Sequence, residues 1–119
     1  MMAMCLAVVA HAAGDAGPSD CKPDGNQQEM NACAADDFRA ADAALNIRYS
    51  EVMDSLAPPV RIALRAEQRT WLKGRDPACK REAKASEGGS IWPLIYNACL
   101  AKSNRQRTAE LEAWKGRQR

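Results

Sequence analysis

From Met30 to Leu56 the apolar residues Met30, Cys33, Ala34, Phe38, Ala41, Leu45, Tyr49, Val52 and Leu56 recur every three or four positions, and no other feature of this 119-residue chain narrows its fold so far. An α-helix turns once in about 3.6 residues, so this spacing lays one apolar stripe along a single long helix. Asp36, Asp37, Arg39, Asp42, Arg48, Glu51 and Asp54 fall between the apolar positions and supply the solvated face. Asn26 with Glu29 three residues on is an Asn version of the capping box, each side chain satisfying a backbone N–H that the first turn leaves open. The helix is therefore expected to start there and to end at Pro58-Pro59, because proline donates no N–H and restricts the residue before it.

A second helix is expected from about Val60, with Leu64, Trp71, Leu72 and Cys79 inside and Arg61, Arg65, Arg69, Lys73 and Arg75 largely outside. Pro77 predicts a kink or brief break near Asp76, with helix resuming toward Lys84. Gly88-Gly89 reads as a turn, and Ser90 as the cap of a third helix that tolerates Pro93 in its first turn. The apolar positions of that helix are Ile91, Leu94, Ile95, Ala98, Cys99, Leu111 and Trp114. No strand-like alternation of useful length occurs, so the class is all-α: a three-helix antiparallel bundle-like domain over residues 26–119.

A core this small gains from covalent staples, and the cysteine usage supplies candidates. Residues 1–13 read as a signal peptide, a short apolar run closing on Ala10-His11-Ala12, although no Lys or Arg precedes the run. The run is too short to span a bilayer, and neither Cys5 after Met4 nor Cys21 after Asp20 fits a lipid-acceptor site, so no membrane anchor is expected. Residues 14–25, rich in Gly, Pro, Asp and Ser, form a leader. Cleavage removes Cys5 and leaves Cys21, Cys33, Cys79 and Cys99, an even set suited to two disulfides in a periplasmic or secreted protein. Three pairings are open. Cys21 with Cys33 and Cys79 with Cys99 is the preferred one, since the first would tie the leader onto helix one and the second would close the Gly-Gly turn.

The same inventory limits chemistry. There is no Cys-x-x-Cys pair and the one histidine, His11, leaves with the signal, so neither a metal centre nor another cofactor is expected. Without histidine or a free thiol the commonest catalytic devices are missing, and Asp36, Asp37 and Asp42 read as solubilising groups, so no enzyme is expected. Residues 13–60 carry nine Asp and Glu against three Lys and Arg, whereas residues 61–119 carry fourteen basic against six acidic. Helices that pair acidic with basic neighbours explain such a dipole; the scarcity of aromatics in the basic half, together with export, argues against nucleic acid. In the stretch from Glu67 to Asp76, Trp71 is expected in the core and Arg75 with Asp76 in a local ion pair, while Trp92 and Tyr96 are candidates for an exposed patch or a lid on the core.

Several words in fixed order carry a resemblance: Asn26-Gln27-Gln28-Glu29-Met30-Asn31-Ala32-Cys33, Ala41-Asp42-Ala43-Ala44-Leu45-Asn46, Gln68-Arg69-Thr70-Trp71-Leu72 with Arg75-Asp76 and Cys79, then Gly88-Gly89-Ser90-Ile91 and Cys99-Leu100-Ala101. Together they resemble the LprI-type lysozyme-inhibitor family from about Cys21 to Leu111. The resemblance implies a secreted or periplasmic helical domain with no catalytic motif, with lysozyme or another envelope protein as partner. Gly74, Pro77 and Ser103-Asn104 depart from the family's usual residues and bear on the end of helix two and the register of helix three. On this reading the acidic first helix steers a basic lysozyme into contact, and a group from Arg69, Arg75 and Asp76 or from Gly88, Gly89 and Trp92 enters its cleft. The alternative is a non-inhibitory envelope module that binds protein or cell wall through Arg61, Arg65 and Arg69.

Overall fold

The computed structural model describes residues 20–119; the expected signal segment and the first part of the leader lie outside the described residues. Three helices make up the domain: α1 (Gln27–Asp54), α2 (Pro58–Glu82) and α3 (Trp92–Leu111), with short 3-10 turns at Lys84–Ser86 and Glu112–Trp114. The described residues hold no strand, and the all-α bundle is confirmed.

α1 begins at the capping box read from the sequence, where the Glu29 amide donates to Asn26 Oδ1 and the Asn26 amide to Glu29 Oε1, each at 2.9 Å. It stops at Asp54, short of the prolines, with the Ser55 hydroxyl donating to the Val52 carbonyl at 2.6 Å. Pro58 and Pro59 occupy the first turn of α2, where a missing N–H costs nothing because no intrahelical acceptor is available there. α2 then runs unbroken through Pro77, where an interruption was expected. Pro77 lies exposed, as does Lys73, whose carbonyl it leaves without an intrahelical donor. The turn is also anchored on both sides, by the Arg75–Asp76 pair and by the disulfide at Cys79. The cap expected from Ser90 is replaced by Ile91, and the Ser90 carbonyl instead accepts from Asn31 Nδ2 at 2.8 Å.

Successive helices run antiparallel, which leaves α1 and α3 parallel: Asn31 meets Ser90, Asp42 meets Asn104, and the Ser55 hydroxyl meets the Gly116 amide. These two helices form the main packing interface, and α2 lies mostly against α3. Two apolar clusters result. Leu45, Val52 and Leu56 of α1 and the turn after it join Val60, Leu64 and Leu111, flanked by Trp71 and Trp114. At the other end Cys79, Cys99 and Leu100 pack with Phe38 and Tyr96. Leu45, Leu64 and Leu111 are fully buried, each contributing about 1.5–3 kcal/mol through burial.

Both disulfides take the preferred local pairing, Cys21–Cys33 with Cα atoms 4.4 Å apart and Cys79–Cys99 with Cα atoms 5.6 Å apart. The first binds the chain before α1 back onto its second turn; the second links the end of α2 to the first half of α3.

Candidate functional site

Between the two apolar clusters lies a polar layer contributed by all three helices. The inward stripe of α2 reads Val60, Leu64, Gln68, Trp71, Arg75 and Cys79 in steps of three and four, so it turns polar halfway along. Leu72, one residue beyond Trp71, is therefore rotated outward and exposed, where a buried position was expected. Arg75 takes the inner place instead of the outer one. Its side chain is only 12% exposed, with Nε donating to Asp76 at 2.9 Å and Nη1 to Asn104 at 3.1 Å and to Asp42 at 3.4 Å.

Asn104 is fully buried and donates from Nδ2 to Asp42 at 3.1 Å, so Asp42 belongs to this layer rather than to the solvated face. The rings of Phe38 and Trp71 lie under the Arg75 guanidinium at 5.3 and 5.7 Å. Arg107 is buried on the same Trp71 ring at 5.8 Å, donates to Gln68 at 2.8 Å and pairs with Glu67 and Glu110 at 3.0 and 3.2 Å. Two guanidiniums thus share one indole, each with carboxylate and amide acceptors that offset its desolvation. The layer is a positioning device: its polar groups face one another, apart from Arg107 Nη2, which is buried without a hydrogen-bond partner among the described residues.

An aromatic tip stands next to it, where the connection from α2 enters α3. Ala83 is buried, the 3-10 turn follows, and Gly88 adopts φ +83°, a left-handed conformation that glycine reaches without strain. The Gly89 amide donates to the Ser86 carbonyl at 2.9 Å and the Gly89 carbonyl accepts from the Trp92 amide at 3.2 Å, so the chain doubles back into α3. Ile91 is 41% exposed at the bend. Trp92 and Tyr96, one turn apart on α3, stack at 4.7 Å with their planes 14° apart, both half-buried.

Beside this stack the N-terminal turns of α1 bring the Cys21–Cys33 segment alongside Leu94. Pro23, Met30, Cys33, Ala34, Asp37 and Leu94 line a shallow groove of about 370 Å³ there. Lys22 holds the segment down through an ion pair with Glu29 at 3.2 Å.

Tyr96 connects the tip to the polar layer. Its phenol is raised above the ordinary value of 10.0, first by burial and then by the negative charge of Asp76, with Arg75 opposing. The fold therefore favours the neutral phenol, and the resulting stabilisation is present below pH 10 and lost as the pH rises through the higher folded value. We expect an ultraviolet titration of the tyrosines to place Tyr96 above an ordinary phenol, and Asp76→Asn to bring it down. A Tyr96 titration unmoved by Asp76→Asn would contradict that influence.

The residues singled out in the sequence are thus divided between several places. Trp92 stacks on Tyr96, whose phenol feels the charges of Asp76 and Arg75, and Gly88 and Gly89 form the turn leading into Trp92. Arg69 stands apart on the outer face of α2, exposed and in no ion pair among the described residues. Sequence reasoning missed Gln68, Asn104 and Arg107 as internal residues; the signal was the step of three or four that places Gln68 and Arg75 in line with Leu64 and Cys79. Among the described residues no cluster of His, Cys, Asp and Glu could hold a metal ion, and no helix is long and apolar enough to cross a membrane.

Comparison with known proteins adds to this geometry. The sequence matches the family model described as Lysozyme inhibitor LprI over residues 19–111. A protein of Rhizobium meliloti (strain 1021) described as uncharacterized is 36% identical over 106 residues, covering 78% of this chain and 76% of its own length. No solved structure matches. The matched span takes in both disulfides, the polar layer and the aromatic tip.

Proposed function

Because the chain belongs to the LprI lysozyme-inhibitor family, we propose that it is an exported protein that binds lysozyme in the cell envelope, periplasmic or secreted, and blocks the enzyme's cleft without catalysing a reaction. The observation that carries this reading is the family match over residues 19–111. The aromatic tip supports it with a place of contact: Ile91 and the Trp92–Tyr96 stack offer apolar and aromatic surface on a braced turn, the composition that dominates binding hot spots. A cleft built to hold sugar rings around two carboxylates accepts flat ring surface.

The acidic start of the molecule, with Asp20 and Asp24 before α1 and with Asp36 and Asp37 on it, the last two paired with Arg39 and Arg105, would help draw a basic enzyme in. In this scheme Arg75 and Asp76 act on Tyr96 through their charge, while Gly88 and Gly89 set the turn. The two disulfides suit an oxidising compartment.

Calorimetric titration of the oxidised protein into lysozymes of several types at low salt tests the proposal. Saturable binding that weakens with added salt is expected for at least one type. Absence of heat with every type, alongside full lytic activity, would overturn it.

A further inference from the structure

The seven basic side chains of α2 are Arg61, Arg65, Arg69, Lys73, Arg75, Lys80 and Arg81, and among the described residues only Arg75 forms an ion pair. Elsewhere Lys22, Arg39, Arg48, Lys84, Arg105 and Arg107 find carboxylates, while Lys102, Lys115, Arg117 and Arg119 form no ion pair among the described residues and share no helix face with a run of other cations. Four of the six unpaired α2 cations are also in line. Ile62, Arg65, Arg69, Leu72 with Lys73, and Lys80 follow one another in steps of three, four or seven residues, on the face turned away from α1 and α3. That stripe extends about 27 Å along the helix axis. Ile62 is 66% exposed and Leu72 44%, two of the four exposed large hydrophobics of the described residues. Asp76, which falls on the stripe between Lys73 and Lys80, is engaged by Arg75.

Lone exposed aliphatics are ordinary, and so are solvated lysines; their alternation along one exposed face of a continuous helix is the distinctive observation. A flat anionic interface satisfies both sets together, with cations at the phosphate level and Ile62 and Leu72 reaching the acyl boundary. A soluble polyanion would use the cations and leave the aliphatics in water. A basic enzyme such as lysozyme would be repelled from this face, so the inference is independent of the inhibitor reading.

We propose that the outer face of α2 is a peripheral docking surface for anionic phospholipid bilayers, contacting them through Arg65, Arg69, Lys73, Lys80, Ile62 and Leu72. The helix lies along the surface and the Trp92–Tyr96 tip stays clear of it.

Co-sedimentation of the oxidised full-length mature protein with vesicles of phosphatidylglycerol and phosphatidylcholine in equal parts, against phosphatidylcholine alone, tests this at low salt. Binding to the anionic vesicles only, lost at high salt, is expected. Each cation removed should lower the partition coefficient about fivefold, so the combined variant Arg65→Gln, Arg69→Gln, Lys73→Gln and Lys80→Gln should lose about two orders of magnitude or more. The variant Lys102→Gln with Lys115→Gln, away from this face, should bind within about fivefold of the parent, as loss of distant charge predicts.

Ile62→Ser with Leu72→Ser leaves charge unchanged and should weaken vesicle binding about tenfold or more through lost apolar burial. Circular dichroism confirms that each variant remains helical. Equal binding to both vesicle types, no binding to either, or α2 variants indistinguishable from the parent would overturn the proposal. Vesicle binding that survives Ile62→Ser with Leu72→Ser would also overturn it, in favour of a soluble polyanion.

Discussion

Replacing Arg75 with methionine should lower the free energy of unfolding by about 3 kcal/mol, because the change removes one partner from a largely buried, hydrogen-bonded charge cluster. Methionine fills much of the space but donates nothing. Asn104, fully buried, then has an acceptor oxygen without its guanidinium donor, while Phe38 and Trp71 lose the cation between them. Asp42 and Asp76 retain 40% and 48% side-chain exposure and recover water, which keeps the loss below that of a sealed ion pair. Urea unfolding checks the figure, with Arg69→Met as the control on the outer face. That control should stay within about 0.5 kcal/mol of the parent. Equal shifts for the two variants would remove the distinction between an internal and an external arginine on which the polar layer rests.

The second large effect concerns the Cys79–Cys99 disulfide. Its loss through Cys79→Ala with Cys99→Ala frees a closed loop spanning 20 positions of sequence, worth about 3 kcal/mol by the chain-entropy model. The bridge also lies inside the cluster formed with Leu100, Phe38 and Tyr96, so its removal loosens the base of the aromatic tip. Stability and lysozyme binding should therefore fall together.

Cys21→Ala with Cys33→Ala opens a loop spanning 12 positions and should cost a similar amount by the same model, about 3 kcal/mol. Its structural consequence is confined to the segment before α1 and the groove at Pro23, Met30 and Leu94. Thermal unfolding with binding measured in parallel separates the two bridges. If losing Cys79–Cys99 lowers stability but leaves binding untouched under conditions where the protein is folded, the tip is not the contact surface.

Much of the architecture was legible because the dominant signals are local. The spacing from Met30 to Leu56 depends on helix geometry alone, and Asn26 with Glu29 forms its cap from residues three apart, so α1 emerges with little ambiguity. The prolines were read by the right rule at the wrong place: α1 has already stopped at Asp54, and the pair starts α2. Pro77 kept its helix because tertiary anchors flank it, information absent from the local sequence.

Arg75, Asn104 and Arg107 were illegible for a different reason. Hydrophobicity assigns each to the surface, and only the simultaneous arrival of Asp42, Gln68, Trp71 and Phe38 from other turns and helices makes their burial affordable in free energy. For the same reason Leu72 and Arg75 exchanged places relative to expectation. Gly74, a departure from the family's usual residue, has nothing within 4 Å of where a side chain would begin, so it leaves α2 packing unaffected.

The family words Gln68, Trp71, Arg75, Asp76 and Cys79 therefore describe mainly how the scaffold is held. In the proposed inhibitor, contact with a partner would fall to the Gly88–Tyr96 stretch.

The central claim, that this scaffold presents Trp92 and its neighbours to a lysozyme cleft, is tested most directly by lysozyme turnover of cell-wall substrate with the oxidised protein added, parent beside Trp92→Ala. The account predicts that the parent inhibits at least one lysozyme type, and that Trp92→Ala, still folded by circular dichroism, requires about 30-fold more protein for the same inhibition, as the loss of an aromatic hot spot of about 2 kcal/mol implies. Full turnover of every lysozyme type in the presence of excess parent protein would contradict it, as would inhibition by Trp92→Ala equal to that of the parent.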